Sequence, residues 1–343
     1  MSIGDVVEKV VYLLGAGFSR PLGLPLMSDF LIKAKDMYFS SPSTFSYIKD
    51  VIQMINELSV VKNYFKSDLF NIEEILSILE MNDYLGDQSN KELFQRFICS
   101  VIEYYTPEIK YNNKSTQLFP VNDDRYLSYI MFVANLFNLR STSNYIYRDD
   151  DATTNYSIIT LNYDMVLEKV HNFIEINLFN RFGRVVTQSQ FAFIRDKKSG
   201  EEQKNPVYLV KLHGCVSKGN IVPPTWNKTN NEDLLEEWKL AKKLLAEANH
   251  IRILGYSLPE SDSYIKYLLK SAMINSKHLK TLDVITLDPN NSVKNRYDNF
   301  VEFMNYKFIN AKIEDYLKSI NYTTVNGDKY FNNLELVHSR FMA

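Results

Sequence analysis

The chain has 343 residues, enough for one large domain or two modest ones, with 45% hydrophobic and 23% charged residues, as in an ordinary soluble globular protein. Its formal net charge of −2 excludes a global basic field, and no long Lys/Arg run marks a local one, so no direct nucleic-acid binding is expected. The two cysteines, Cys99 and Cys215, show no Cys-x-x-Cys spacing, which argues against a structural zinc site and a disulfide-stapled fold; no metal is expected. No apolar run approaches the ~20 residues of a membrane span. Met1-Ser2-Ile3-Gly4-Asp5 lacks the basic start of a signal peptide, so a cytoplasmic protein without a membrane partner is expected.

Val10-Val11-Tyr12-Leu13-Leu14 is the first strand candidate, and it runs into Gly15-Ala16-Gly17-Phe18-Ser19. From about 26 to 150 the spacing turns helical, with apolar residues at three- and four-residue steps in 68–79, 91–105 and 126–140. Asn112-Asn113 and Asn122-Asp123-Asp124 break this pattern, and no strand is expected in the block. Short β-branched runs then follow at 157–161, 207–212, 250–254 and 282–287, with helical spacing at about 231–248 and 262–276. Arg195 to Glu202 reads as a solvated turn.

Strands alternating with helices imply a parallel sheet covered on both faces. The expected fold is therefore α/β, a Rossmann-like doubly wound parallel sheet with a large helical insertion. Residues 1–29 and 151–320 would form the core, 30–150 the insertion and 321–343 a C-terminal extension. The insertion, rich in Tyr, Phe and Ile, reads either as a cap with its own small core or as a surface for self-association or a partner.

In an open α/β sheet, ligands bind beyond the carboxyl ends of the strands. Five such ends carry polar or glycine-rich residues: Gly15 to Ser19, Thr160-Leu161-Asn162-Tyr163-Asp164, Leu212-His213-Gly214, Gly255-Tyr256-Ser257, and Asp288-Pro289-Asn290. Gly15 and Gly17 would let backbone approach a pyrophosphate, with N–H groups supplied by a following helix, or they would simply make a tight turn. Asn162 and Asp164 can grip ligand hydroxyls and amides, although Asp164 is equally a helix N-cap. His213 is either a hydrogen-bonded structural residue or a group poised to move protons near neutral pH. An acid about 20 residues after the glycines, as a dehydrogenase fingerprint requires, has no strand to sit on. Neither a Gly-x-Ser-x-Gly elbow nor a P-loop is present.

The order Gly-Ala-Gly-x-Ser, Thr-x-Asn-x-Asp, His-Gly, Gly-x-Ser resembles the sirtuin family, in particular its branch in bacterial anti-phage systems, which Ile221 to Lys228 also resembles. The resemblance covers 10–25 and 155–300 and implies NAD as substrate. On it, Gly15, Ala16, Gly17, Phe18 and Ser19 would hold the pyrophosphate, and Asn162 would position the nicotinamide ribose or a water. Asp164 would bind the carboxamide, and His213 would be the general base. Gly255 and Ser257 would line the adenosine side with Asp288 on its ribose, and Thr160 and Asn290 complete the cofactor-binding set. Where sirtuin deacylases carry Asp-Phe-Arg, Gly23-Leu24-Pro25 is followed here by Leu26-Met27-Ser28, and their four zinc cysteines have no counterpart. The resemblance therefore implies an NAD hydrolase releasing nicotinamide and ADP-ribose in abortive infection. Its activity would be gated by homo-oligomer assembly or by a companion such as a hexameric ATPase or an Argonaute-like protein. The alternatives are a deacylase or ADP-ribosyl transferase using the same pocket, and a nucleotide-binding sensor without chemistry.

Overall fold

The computed structural model describes residues 7–86, 90–112, 114, 119–142, 146–149, 151–182, 191–201, 203–219, 221–222, 232–260, 262–325, 327–331 and 333–343. Strand β1 (Glu8–Leu14) is followed by helices α1 (Phe30–Ser40), α2 (Ile48–Leu58), α3 (Ile72–Tyr84), α4 (Lys91–Tyr105) and α5 (Asp124–Leu136). Two three-residue strands, β2 (Leu139–Ser141) and β3 (Ile146–Arg148), precede β4 (Thr154–Thr160). Then come α6 (Val166–Phe182), α7 (Lys197–Glu201), β5 (Tyr208–Lys211), α8 (Glu232–Glu247), β6 (His250–Leu254), α9 (Ser263–Met273), β7 (Thr281–Thr286), α10 (Ser292–Asp298) and β8 (Tyr306–Asn310). The chain closes with α11 (Ile313–Ser319), β9 (Thr323–Val325), β10 (Asp328–Tyr330) and α12 (Leu334–Phe341).

Six strands form one parallel sheet in the order β5-β4-β1-β6-β7-β8. The N-terminal strand is central, and the winding reverses between β1 and β6, which is the doubly wound arrangement expected. Alternation along the strands divides the core in two. Val10, Tyr12 and Leu14 face one apolar cluster, whereas Val11 and Leu13 face the other, with α8 and α9 residues such as Leu245 and Leu269. The first cluster runs without a break from the sheet into α1 to α5 through residues such as Phe18, Phe97 and Phe132. The insertion thus shares one core with the sheet.

Local chemistry sets the helix starts. Asn71 caps α3 by accepting from Glu73 N at 2.9 Å, with Glu73 and Glu74 in the first turn where the helix dipole favours anions. Asp123, in a cluster expected to break the helical pattern, starts α5 by accepting from Arg125 N at 3.0 Å. Asn138, with φ of 49°, turns the chain out of α5.

The expectation that 26–150 holds no strand is corrected by β2 and β3. They join a four-stranded antiparallel sheet of order β3-β2-β10-β9, which ties residue 141 to residue 329. Three residues are too few to show a period. The C-terminal segment is also fixed to α5 by Asn135, a buried amide that donates to Asn321 O at 3.1 Å and accepts from Asn333 N at 3.0 Å.

Candidate active site

The registers Leu14↔Thr160, Leu14↔Leu254, Thr160↔Lys211 and Leu254↔Ile285 place the ends of β1, β4, β5, β6 and β7 along one edge of the sheet. The five strand-end motifs therefore share that edge.

The turns after β1 and β6 pack backbone against backbone. Gly15 N donates to Leu254 O at 3.0 Å, and Gly17 N donates to Gly255 O at 2.9 Å. Gly255 has φ of +64°, and a Cβ on it would lie 2.4 Å from Phe18 N; one on Gly17 would lie 2.8 Å from Gly255 Cα. These glycines are required by the contact between the two turns. No α-helix follows directly. Phe18 N bonds to Gly15 O at 2.9 Å and Ser19 N to Ala16 O at 3.2 Å, in the first of several single 3-10 turns that lead to α1 at Phe30. The expected supply of N–H groups from a following helix is corrected accordingly: four amides of the turn already bond backbone oxygens. Arg20, at the position of the fingerprint's third glycine, folds back onto Asp29 at 2.6 Å.

Ser19 is 2% exposed, and its hydroxyl faces the β4 turn. Asn162 Nδ2 donates to Ser19 Oγ at 3.2 Å and to Gly15 O at 3.0 Å, and the Ser19 hydroxyl favours the charged form of the Asp164 carboxyl. Thr160 Oγ1 accepts from Asn162 N at 3.1 Å, so Thr160 orders the turn. Asp164 also caps α6 through Val166 N at 3.0 Å, as its N-cap reading required. Burial pushes the Asp164 carboxyl above its usual range, against the opposing pull of the Lys211 ammonium, the Ser19 hydroxyl and the Val166 N–H.

His213 is buried at the mouth of β5, its ring 6.1 Å from that of Tyr163. Gly214 follows with φ of 80°. The backbone around His213 is tied on several sides. Leu212 N donates to Thr160 O at 3.1 Å, and Val216 N to Tyr163 O at 3.0 Å. Trp238 Nε1 donates to Leu212 O at 2.9 Å, and Val222 N to His213 O at 3.0 Å. The Val216–Tyr163 bond draws the His213 loop against the Asn162–Asp164 turn. A small, shallow cleft lies beside Gly214, lined in part by Lys211, Cys215, Lys218 and Glu237. Burial raises the Glu237 carboxyl although it accepts from Lys211 N at 2.6 Å.

The β6 and β7 ends are built differently. Ser257 is exposed, and its carbonyl accepts from Arg296 Nε at 3.0 Å. Asp288 is 1% exposed, and its two carboxylate oxygens accept from Val293 N at 3.1 Å and Lys294 N at 2.8 Å, so it caps α10. Asn290 is exposed beside it and accepts from Ser292 N at 3.2 Å. Among the described residues, no group of three or more His, Cys, Asp or Glu is placed to hold a metal. Of the motif at 221–228, residues 223–228 lie outside the described residues.

Sequence reasoning missed an ion cluster under the site. Lys211, 3% exposed, pairs with Glu168 at 3.0 Å and donates to Asp164 O, and Arg195 joins Glu168 at 2.7 Å. A lysine inside the apolar run Val207 to Leu212 was its signal, since a charge on a buried strand must find a partner. It also missed two side chains of the insertion, Tyr129 and Gln95, which hold site backbone. Tyr129 donates to Phe18 O at 2.6 Å and Gln95 to Ile221 O at 2.7 Å.

Residues 156–309 match the SIR2-like domain. The match spans β4 to β8 and leaves out β1, its glycine turn and the helical insertion. Similar solved structures include a Sir2 with a p53 peptide and NAD+ (11% identity, 91% of each chain covered, TM-score 0.35). A second, from work on the mechanism and regulation of Sir2 enzymes, has 12% identity, covers 98% of this chain and 96% of its own, and has a TM-score of 0.38. No curated protein matches the chain. Among the described residues, no helix is long and apolar enough to cross a membrane.

Proposed function

We propose that the chain hydrolyses NAD at its nicotinamide–ribose bond, releasing nicotinamide, ADP-ribose and a proton. The observation that carries this reading is the assembly of Ser19, Asn162, Asp164 and the His213 loop at the carboxyl edge of the sheet, beside the reversal in winding. The match to the SIR2-like domain supports it.

The bond breaks through an oxocarbenium-like state, and nicotinamide leaves with its ring charge neutralised, so little acid help is needed. The site must orient the ribose, keep bulk water out and supply one nucleophile. Asn162, held by Gly15 O and Ser19, orients the ribose or the attacking water. His213 takes a proton from that water or from a ribose hydroxyl. Asp164 holds the carboxamide. The turn from Gly15 to Ser19 lies along the pyrophosphate, with Ser19 acting through Asn162 and Asp164. Gly255, Ser257 and Asn290 line the adenosine side, where Asp288 acts by fixing α10. An NADase of this kind harms its host when ungated. The resemblance to the anti-phage branch therefore supports a defence role, with activity released by assembly of copies of the chain or by a companion ATPase or Argonaute-like protein.

The test is to incubate the chain with NAD, with and without an acetylated peptide, across concentrations that span self-association, and to identify products by mass. Free ADP-ribose is expected. General-base help is worth about 10²–10⁴-fold, so His213→Ala should lower nicotinamide release at least about a hundredfold, and Asn162→Ala, which also gives up the bonds to Gly15 O and Ser19 Oγ, should nearly abolish it, each with the protein still folded. Acetyl-ADP-ribose formed only with peptide would replace hydrolysis by deacylation, and intact NAD throughout, also when the proteins encoded beside the chain are added, would overturn both.

A further inference from the structure

The helical insertion reaches the candidate site through side chains that bond backbone. Gln95, on α4, donates from Nε2 to Ile221 O at 2.7 Å. The next residue, Val222, donates its N–H to His213 O at 3.0 Å. Gln95 is therefore two hydrogen bonds from the backbone of the proposed base. Ile221 is fully buried in the core shared by sheet and insertion, so the carbonyl that Gln95 meets is held in place. Cys99, one turn further along α4, packs against the same apolar cluster that holds Ile221. Among the described residues, the ladder of the six-stranded sheet does not reach Ile221 and Val222, because β5 is an edge strand and ends at Lys211.

We infer that Gln95 is a positioning residue for His213, so that the insertion, and not the sheet alone, sets the geometry of the proposed base. This rests on the reading of the site as an NAD-cleaving one. An amide at position 95 donates to the Ile221 carbonyl; a carboxylate of the same shape would repel it. Losing that bond leaves a buried carbonyl short of a donor and frees the segment on which His213 is braced. Displacement of about 1 Å at a catalytic group can cost about a hundredfold in rate.

The experiment compares wild type, Gln95→Glu, Gln95→Ala and Gln95→Lys, the last restoring a donor at the end of a flexible side chain. Two measurements are made: kcat and KM for NAD cleavage, and exchange of the Val216 and Val222 amides without NAD. Expected for Gln95→Glu is a kcat lower by about tenfold or more, KM within about twofold, and faster exchange at Val222, with Gln95→Lys recovering most of both. Gln95→Ala gives the same pattern in a milder form and serves where Gln95→Glu does not fold. Unchanged kcat and exchange in Gln95→Glu and Gln95→Ala would overturn the inference, as would a Gln95→Lys variant no better than Gln95→Glu. A wild-type chain that leaves NAD intact even with the proteins encoded beside it defeats the functional reading instead, and the exchange measurement still decides whether Gln95 braces the His213 loop.

Discussion

The two faces of the six-stranded sheet are buried by different means. Towards α8 and α9 the strands present the apolar residues Val11, Leu13, Ile159, Ile251, Ile253 and Val284. Towards α11 and α12 the same strands present Tyr12, Tyr156, Arg252 and Asp283, with Tyr12, Arg252 and Asp283 side by side in register. These polar groups are buried because the C-terminal helices answer them. Arg252 donates to Tyr12 Oη at 2.9 Å and pairs with Glu335 at 2.6 Å. Tyr156 donates to Glu335 at 3.0 Å, and His338 lies 3.1 Å from Asp283 and 3.2 Å from Tyr316 Oη. One face is held by apolar packing; the other adds to its own apolar cluster, with Val10, Leu14, Ile158 and Leu254, a polar network whose members depend on one another.

The largest expected effect comes from cutting that network. Arg252→Met removes one partner and leaves the partly exposed Glu335 and the buried Tyr12 without their donor, at a cost of about 2–3 kcal/mol in denaturant unfolding. A neutral or stabilising result would break the comparison, since the network would then be replaceable by apolar bulk.

Acid gives the next effect. Burial, with Arg252 adding, holds the His338 imidazole below its ordinary 6.5 despite Asp283 beside it, and the Arg252 and His338 partners hold Glu335 and Asp283 low against their own burial. All three have depressed folded values, so their contributions are complete above the unfolded values and are lost as pH falls. The loss begins below 6.5 with His338 and deepens through the carboxylate range. Unfolding measured from pH 7.5 to 5 should show declining stability, and His338→Gln, which cannot titrate, should flatten the first part of that decline. The smallest effect belongs to the apolar face, where Ile253→Val should cost about 0.5–1.5 kcal/mol with no change in pH profile.

Five of the six strands of the parallel sheet were legible in the sequence because they are apolar, largely β-branched runs separated by helical spacing, as the runs from Val10 and from His250 show; β8 was not, since Tyr306-Lys307-Phe308-Ile309-Asn310 holds a single β-branched residue and is broken by polar ones. Strands β2, β3, β9 and β10 were not, since each has three residues and its partners lie as far away as Ser141 and Lys329. The site was legible as a set of strand ends but less so in its roles. Whether an oxygen of Asp288 is turned to a ligand or to Val293 N is decided by the start of α10, and whether Ser19 meets solvent is decided by Asn162 and Asp164. Gln95 and Tyr129 look like any polar or aromatic residue on an amphipathic helix until the loop opposite them is in place.

The central position of β1 has a consequence for the order in which the protein can be made. Its ladder partners are residues 154–160 on one side and 250–254 on the other. During synthesis this apolar strand waits for well over a hundred residues before its first edge is paired, and for about a hundred more before its second. Pairing so distant in sequence is slow and leaves a sticky edge in the interval. The helices made in that interval pack against the same strand, Phe132 meeting Tyr12 edge-on at 5.2 Å. The insertion is thus the first neighbour that β1 acquires, and it shelters one face of the strand until the rest of the sheet arrives.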